Sequence, residues 1–360
     1  MAYRAGIRGY GVFVPQHRLK IEDIWTSWCH RLRPSSLEQR WGVKEKAVNS
    51  WHEDVITMAS DAAKAALEMA GSSAGEVNGL FLGSCTNPYV TRPSTTLVAE
   101  SLGMPSELMA ADCQFSGKSG TAALQICLGL VSAGLVSQAL AVGSDSLSAH
   151  VAPNDWPQEY FASAAAAAFL LGEERIIAQV EATYSYATET ADFFRLDGDR
   201  YIKRGVSIPE ERIGYRDHVV SAVRGFQERW GHKPGDFNYL ALHQPNARWP
   251  LEVAQVLGFD KEQVLPGLLA DRIGDCGSAS SLLSLAAILD QAEAGERILV
   301  VSYGYGAGCD LFSLVTTDQL AEARSRRRIF APLSSQLDRK VYLDYTTYIR
   351  MERKLIQEYV

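Results

Sequence analysis

The chain alternates between short apolar runs and longer segments in which apolar residues recur every three or four positions. Short apolar runs between turn residues are typical of buried strands, whereas the longer periodic segments are typical of helices. Residues 54–70 and 217–230 form two such helical segments, and glycines, Gly71 and Gly231, end them. This alternation predicts an α/β protein.

The same order of elements occurs twice, at a spacing of about 160 residues. Each copy has a helix, a glycine stop, an acidic residue and a buried strand, then an uncharged helix and another strand. The paired strands are 79–82 with 239–242 and 139–142 with 298–301, and the paired uncharged helices begin at 119 and 276. The repeat predicts two similar halves, residues 1–178 and 179–360, which share one core.

One uncharged stretch, residues 119–144, is long enough to cross a bilayer. Gln125, Gly134 and Gln138 interrupt it, and it divides into a helix over 119–133 and a strand over 138–142. We therefore predict a buried helix and strand rather than a membrane span.

Because a helix without a polar face must be covered on all sides, the two uncharged helices predict a central helical layer. One such helix per half, placed between two sheets, gives five layers in the order αβαβα.

Composition narrows the function classes. Lys and Arg total 35 against 42 Asp and Glu, a net charge of −7, which disfavours a nucleic-acid groove. The six cysteines form no CxxC pair, so we predict reduced thiols in a cytoplasmic protein and no metal site. The first 15 residues also lack the features of a signal peptide.

Several segments resemble hydroxymethylglutaryl-CoA synthases and ketoacyl synthase III enzymes, in family order over nearly the full length. They are GSCTNPY (83–89), GKSGTAAL (117–124), ASAAAAAFLLG (162–172), HQPN (243–246), GDCGSAS (274–280) and SYGYGAG (302–308). The resemblance implies the α/β thiolase fold, with five layers built from two pseudo-repeated halves.

These enzymes use a Cys nucleophile at the start of the central helix, a His and an Asn that hold the thioester oxygen, and, in the synthases, a general acid/base Glu. Only His243 matches this set. Gly117 stands at the Cys position, Cys85 at the Glu position and Asp275 at the Asn position. A carboxylate cannot donate a hydrogen bond to an oxyanion, so we expect that this chain is not a working synthase of that type.

Residues 112–121, with Cys85 and Asp275 in their segments, resemble the synthase-like, Cys-lacking subunit of bacterial phloroglucinol acetyltransferase complexes. This resemblance implies a subunit of an acyltransferase that transfers an acetyl-type group to carbon. Its own site would be degenerate, and it would position a thiolase-like partner that carries the Cys. It also implies a homodimer core, a small OB-fold zinc protein as a further partner, no cofactor, and acyl-CoA as a substrate.

Two alternatives stay open. One is a stand-alone acyl-CoA condensing enzyme that uses His243 with Cys85 or Cys113; the other is a purely structural scaffold subunit. The candidate pocket residues are His243, Cys85 and Asp275, and the candidate substrate-binding residues are Asn246, Gly306 and Ser278. If the chain is a purely structural subunit, His243 and Cys85 are inert core residues and Asp275 fills an inactive oxyanion hole.

Three further segments are predicted to support the core. The tryptophan-rich residues 21–41 form a helical cap or an interface, and the aromatic residues 341–351 pack on the fold or on a partner. The basic run 324–328 is predicted to be a solvated helix end, and the alternative is contact with an acidic partner or with CoA phosphates.

Overall fold

A computed structural model of the chain describes residues 3–29, 33–190, 192–205 and 214–355. The strands are β1 Gly6–Phe13, β2 His17–Lys20, β3 Glu45–Val48, β4 Gly79–Gly83, β5 Met109–Cys113, β6 Ala139–Ser146, β7 Ala164–Gly172, β8 Ala178–Ala187, β9 Phe193–Phe194, β10 Lys203–Arg204, β11 Tyr239–Leu242, β12 Arg297–Val301, β13 Gly308–Thr316 and β14 Val341–Leu343. The helices are α1 Ile21–Trp28, α2 Pro34–Trp41, α3 Val55–Ala70, α4 Ser94–Leu102, α5 Ser119–Ser132, α6 Gln158–Phe161, α7 Asp217–Trp230, α8 Trp249–Leu257, α9 Lys261–Val264, α10 Ala270–Ile273, α11 Ser280–Leu289, α12 Gln319–Ser325, α13 Leu333–Asp338 and α14 Tyr345–Met351.

Nine of the described strands form one sheet in the order β11-β12-β13-β8-β1-β7-β6-β4-β5. Its two parts meet only where β1 pairs with β8, at Gly6–Gln179 and Ile7–Ala178. The neighbours β5, β4 and β6 run parallel, as do β11 and β12. In parallel strands the carboxyl ends lie at one edge, so the loops that follow these strands can converge on a site.

The two parts of the sheet enclose α5 and α11, which pack together in one continuous core with the inward faces of strands from both parts. Outside them, α3 and α4 cover one part, and α7 and α8 cover the other. The order is therefore αβαβα, which confirms the predicted fold class. Among the described residues, no helix combines the length and apolar character that a bilayer crossing needs.

The predicted repeat elements form where the sequence places them. Helix α3 begins after Asp54, whose carboxylate accepts the Thr57 N–H, and ends at Gly71 with a φ of 62°. The second copy ends in the same way, at Gly231 with a φ of 76°. The boundary between residues 178 and 179 stays a prediction; Ala178 is the first residue of β8.

The prediction that the uncharged helices are covered on all sides is wrong for one edge of α5. Helix α11 is buried along nearly its whole length, but Ile126 of α5 is 38% exposed. Strand β5 ends the sheet beside it and exposes Met109, and no described strand pairs with its outer edge. This side of the central layer is thus left open to a further partner.

The tryptophan-rich segment forms α1 and α2, as predicted, and packs on a small sheet of order β14-β2-β3. Residues 341–351 form β14 and α14 and pack on this same unit. Of the two predicted alternatives, they therefore pack on the fold of this chain. Trp41 contacts Phe161 edge-on, with ring centroids 4.9 Å apart. The cap therefore supports the segment that leads from α6 into β7.

The basic run is not the solvated helix end that the sequence predicts. Arg324 donates to the carbonyls of Leu289 and Ala292 at the end of α11, and Arg326 donates to Met69 O at the end of α3. These carbonyls have no partner within their own helices, so the arginines satisfy both helix ends.

Two buried lysines meet beneath the cap. Lys46 Nζ donates to Glu159 O at 2.5 Å and to the Tyr348 hydroxyl at 3.1 Å, and Lys354 Nζ donates to the same hydroxyl at 2.6 Å. Burial is the main cause that lowers the pKa of Lys46 to about 7 and that of Lys354 to about 8, and the two ammonium groups also repel each other. The contacts join the C-terminal segment to β3 and α6.

These lysines make stability depend on pH. Both folded pKa values lie below the ordinary value of 10.5, so the unfolded chain binds more protons between pH 7 and 10.5. We therefore expect these two lysines to make the free energy of unfolding rise with pH, by up to about 1.4 kcal/mol per pH unit each, below the ordinary thiol pKa of 9.0, because above it the buried thiols oppose the trend. Urea titrations between pH 7 and about 8.5 measure the slope. Lys46→Met should lower it, whereas Lys64→Met, at an exposed position on α3, should leave it unchanged; an equal slope in both variants would contradict this expectation.

Candidate active site

The turn that leads into α5 brings a glycine against the side chain of His243. The chain turns at Ser116, whose φ is 46°, and Ser119 Oγ accepts the Phe115 N–H. A Cβ atom on Gly117 would lie 2.6 Å from Tyr303 O and 2.7 Å from His243 Cε1. The space for a side chain at this position is therefore taken by the imidazole and by the backbone of the second half.

His243 follows β11, and its backbone is fixed on both sides. Its N–H donates to Val301 O at 2.9 Å, and its carbonyl accepts from the Tyr215 hydroxyl at 2.6 Å. The ring is fully buried, yet neither nitrogen has a hydrogen-bond partner among the described residues. Buried polar groups are normally paired, so two unsatisfied nitrogens on one buried ring call for an explanation.

Asp275 lies beside that imidazole. Its Oδ1 is 3.6 Å from His243 Nε2, which is beyond a good hydrogen bond. Gly277 N–H donates to Oδ1 at 2.9 Å, and the Tyr305 hydroxyl donates to Oδ2 at 3.1 Å. Its backbone is paired with Phe161 and Ser163, so the loop is held on the cap side as well.

Asp145, which the sequence analysis missed, is the carboxylate that organises the loops around Cys85. It is fully buried in β6 and accepts hydrogen bonds from both halves of the chain. The donors are Ser84 Oγ, Cys85 N, Thr86 N, Thr86 Oγ1, Ser278 N and Ser278 Oγ. It is the first charged residue after the uncharged stretch and lies toward the carboxyl end of β6, which is a usable signal.

Cys85 is the thiol nearest to this carboxylate. Its Sγ lies 3.4 Å from Asp145 Oδ2, as expected for a donating S–H group. Burial, and then the charge of Asp145, raise the pKa of Cys85 well above its usual range. Because the thiolate is the nucleophile, Cys85 is held in its unreactive form at neutral pH.

The other candidate thiol is no better activated. Cys113 ends β5, as the sequence predicts, and burial followed by Asp112 raises its pKa to about 11. Cys276, two residues before Ser278, is buried, and its pKa is raised by burial and by Asp275. These thiols therefore lack the positive surroundings that activate a catalytic cysteine.

The three candidate substrate-binding residues differ in what they offer. Asn246 Oδ1 accepts from Arg248 N and Trp249 N at the start of α8, which leaves a buried Nδ2 without a partner. The Ser278 hydroxyl bonds to Asp145 and to Ser116 O, and the Gly306 N–H donates to Asp192. Asn246 alone thus presents a side-chain group that no described residue uses, and the substrate-binding roles stay predictions.

The glycine-rich loop of residues 304–308 is fixed by a second buried carboxylate that the sequence analysis missed. Asp192 accepts from the Tyr303 hydroxyl at 2.6 Å and from Gly306 N at 2.8 Å. This places the Tyr303 and Tyr305 rings about His243, with centroids 6.1 and 6.2 Å from the imidazole. A lone Asp in a polar segment gave no sequence signal for this role.

A buried ion pair joins the start of α5 to the second half of the chain. Lys118 Nζ lies 2.8 Å from Asp310 Oδ1 in β13, and both side chains are nearly inaccessible. Thr121 and Ser185 donate to the same carboxylate, so its oxygens are satisfied. The position of Gly117 opposite His243 is therefore set by a fully paired network.

A cleft of about 410 Å³ opens beside Cys85, on the outer side of the residue 84–88 loop. Its lining includes Arg92 and Arg195 together with Asp112 and Asp197, so it is polar and carries charges of both signs. No group of three His, Cys, Asp or Glu side chains in the described ranges is arranged to hold a metal ion.

Comparisons with known proteins place this site in a family. Residues 228–317 match the family model of the 3-oxoacyl-[acyl-carrier-protein] synthase III C-terminal domain. The chain is 42% identical to the hydroxymethylglutaryl-CoA synthase of Methanopyrus kandleri, over 98% of each chain. It is 41% identical to that of Methanocaldococcus jannaschii, over 98% of this chain and 99% of the relative. The chain belongs to the hydroxymethylglutaryl-CoA synthase family.

Solved structures show the same fold in this family and beyond it. MvaS in complex with 3-hydroxy-3-methylglutaryl coenzyme A superposes with a TM-score of 0.86 at 24% identity, over all of this chain and 94% of that one. The 3-oxoacyl-[acyl-carrier-protein] synthase III of Aquifex aeolicus gives 0.79 at 23% identity, over 86% of this chain and 99% of that one. Both similarities show the thiolase-like fold of the hydroxymethylglutaryl-CoA synthase family.

The similarity over the whole chain changes the balance of the functional expectations. It supports the stand-alone condensing-enzyme alternative better than the degenerate complex subunit that the sequence analysis favoured. These relatives are acyl-CoA condensing enzymes, which are transferases. This member of the hydroxymethylglutaryl-CoA synthase family therefore belongs to the transferase class. In the site itself, Gly117 and Asp275 lie beside His243, and Cys85 lies beside Asp145.

The packing at Gly117 gives a direct test of this geometry. Because a Cβ would overlap Tyr303 O and His243 Cε1, we expect Gly117→Ala to lower the free energy of unfolding by about 1–3 kcal/mol. The control is Gly235→Ala, between α7 and β11, where a Cβ meets nothing within 4 Å. That change should raise stability by up to about 1 kcal/mol. Chemical denaturation measures both, and equal effects would contradict the described packing.

Proposed function

We propose that this chain is an acyl-CoA condensing enzyme that transfers the acyl group directly to a carbon nucleophile, without an acyl-cysteine intermediate. The observation that carries the proposal is His243, whose buried ring nitrogens have no partner among the described residues. An imidazole kept only for packing would be expected to be hydrogen-bonded. By the family resemblance, the reacting thioester would lie near Gly117, within reach of a ring N–H of His243.

In the proposed reaction His243 donates its ring N–H to the thioester oxygen, which stabilises the negative charge that develops there. The carbon nucleophile attacks the carbonyl carbon, a C–C bond forms, and the C–S bond breaks to release CoA thiolate. The acceptor carbon loses a proton to the Asp275 carboxylate, which passes it to the thiolate. A carboxylate suits this role because it accepts a proton, and the Tyr305 hydroxyl holds it in place.

Cys85 has a supporting role in this proposal. Its thiol donates to Asp145, and burial and that carboxylate raise its pKa, so it lines the pocket as a neutral group. It offers neither the acid/base function of the family Glu nor a nucleophile. The proposal therefore differs from the alternative with a non-standard Cys nucleophile.

The test is to mix the purified chain with acetyl-CoA and one of two acceptors, acetoacetyl-CoA or phloroglucinol, and to measure CoA thiol release and intact mass. We expect release that depends on an acceptor, with no stable acyl adduct on the chain. His243→Ala should lower the rate by about 10²–10³, whereas His52→Ala, at an exposed position, should not.

A stable adduct that disappears in Cys85→Ala would overturn the direct-transfer proposal in favour of an alternative nucleophile. The absence of both release and adduct would overturn enzymatic activity of the isolated chain.

A second candidate function is favoured by Gly117 itself. A glycine at the nucleophile position fits a subunit of a multi-component acyltransferase that positions a thiolase-like partner carrying the Cys, with a small OB-fold zinc protein. CoA release that begins only when such partners are added would support it. In that case, a rate unchanged by His243→Ala would indicate a purely structural subunit.

We also propose that the chain forms a homodimer and acts in the cytoplasm. The support for the dimer is β5, an edge strand whose outer side is unpaired among the described strands and lies beside exposed Ile126 of α5. Such an edge is a ready surface for a second copy.

Light scattering tests the dimer. We expect the wild-type chain to have twice its monomer mass, and Met109→Asp, which places a charge on β5, to shift it toward monomer. Val256→Asp makes the same kind of change at an exposed apolar position on α8. It should leave the dimer intact. A monomeric wild-type chain would refute the proposal.

A further inference from the structure

Arg8 of β1 is a largely buried cation that forms no ion pair with a described residue, and it lies near the end of β6 that is opposite to the candidate active site. Its side chain is only 4% exposed. It makes no hydrogen bond or ion pair with any residue in the described ranges, and its Nε is buried and unsatisfied. Leaving a buried charge unpaired is costly, so an unpaired guanidinium in this position needs an explanation.

The backbone around Arg8 determines where its side chain lies. Arg8 lies at an irregularity in β1, where the register with β7 shifts between Ile7 and Gly9. Gly172, opposite on β7, makes room for its stem, because a Cβ there would lie 2.5 Å from Arg8 Cδ. The bulge and the glycine together hold the guanidinium in a defined place.

The guanidinium lies in the wall of a cleft of about 460 Å³, a size suited to a small organic molecule. Arg4 lies at its rim, Val131 and Val136 supply apolar surface, and Gln138 precedes β6. Asp145 lies near the other end of that strand, so this cleft is separate from the pocket around His243.

The charges around Arg8 favour an anion. Burial, and next the charge of Arg175, lower the pKa of Arg8 from its ordinary value. Glu173 and Glu174 line the cleft but are exposed, and neither comes within ion-pairing distance of Arg8. Their carboxylates are therefore solvated, and the charge of Glu174 only partly offsets the burial and the charge of Arg175 that act on Arg8.

We propose that this cleft binds a small organic oxyanion, a phosphate ester or a carboxylate, with Arg8 as its main charged ligand and Arg4 as a secondary one. A guanidinium suits either group because its planar N–H donors match two oxygens at once. The apolar surface of Val131 and Val136 would contact the rest of the ligand. The proposal does not depend on the reaction proposed for the His243 pocket.

The test measures thermal stability and calorimetric binding with inorganic phosphate and with succinate, against sodium chloride at equal ionic strength. We expect a saturable rise in melting temperature with one of the two anions, and the stronger response identifies a phosphate or a carboxylate ligand. Arg8→Met, which keeps the stem and removes the charge, should weaken binding at least tenfold. Arg224→Met, at an exposed position on α7, should not change it.

Two exposed positions keep the test decisive if Arg8→Met does not fold. Arg4→Met should weaken binding and Glu174→Gln should strengthen it, because these changes remove an attractive and a repulsive charge. The proposal is refuted if neither anion shows saturable binding to the wild-type chain. Unchanged affinity in Arg8→Met, or in both rim variants, would refute it equally.

Discussion

The buried carboxylate of Asp145 is the interaction on which the arrangement of the site depends. One oxygen receives the backbone and side chains of the loop after β4, and the other receives the backbone N–H and hydroxyl of Ser278. These donors come from opposite halves of the chain. Because every donor is neutral, the charge is stabilised by hydrogen bonds rather than by a cation, and losing one loop would leave it unsatisfied. The two halves are therefore held together at the point where the pocket forms.

Much of the architecture follows from patterns that the sequence shows directly. The uncharged helices predict the central helical layer, because a helix without a polar face must be buried between other elements. The matching glycine stops predict where the repeated helices end. The open edge at β5 and Ile126 could not be predicted in this way. A helix that is buried within its own chain and one that is completed by another surface have the same apolar composition.

The candidate site was less predictable, for a physical reason. Motif positions identify His243, Cys85 and Asp275, but not what each side chain does in its surroundings. Whether Cys85 is a nucleophile depends on Asp145, which is 60 residues away in sequence. The unsatisfied imidazole depends on Tyr215 and Tyr303, which fix the backbone and surround the ring without bonding to its nitrogens. Such properties arise from contacts between distant segments and leave no local signature.

The contact between Gly117 and His243 also has an evolutionary consequence. Once the imidazole and the Tyr303 carbonyl occupy the space above the first turn of α5, a cysteine cannot be regained by one substitution without a steric cost. The loop of the second half would have to withdraw at the same time. A larger residue at position 117 therefore requires a concerted change in two distant segments of the chain.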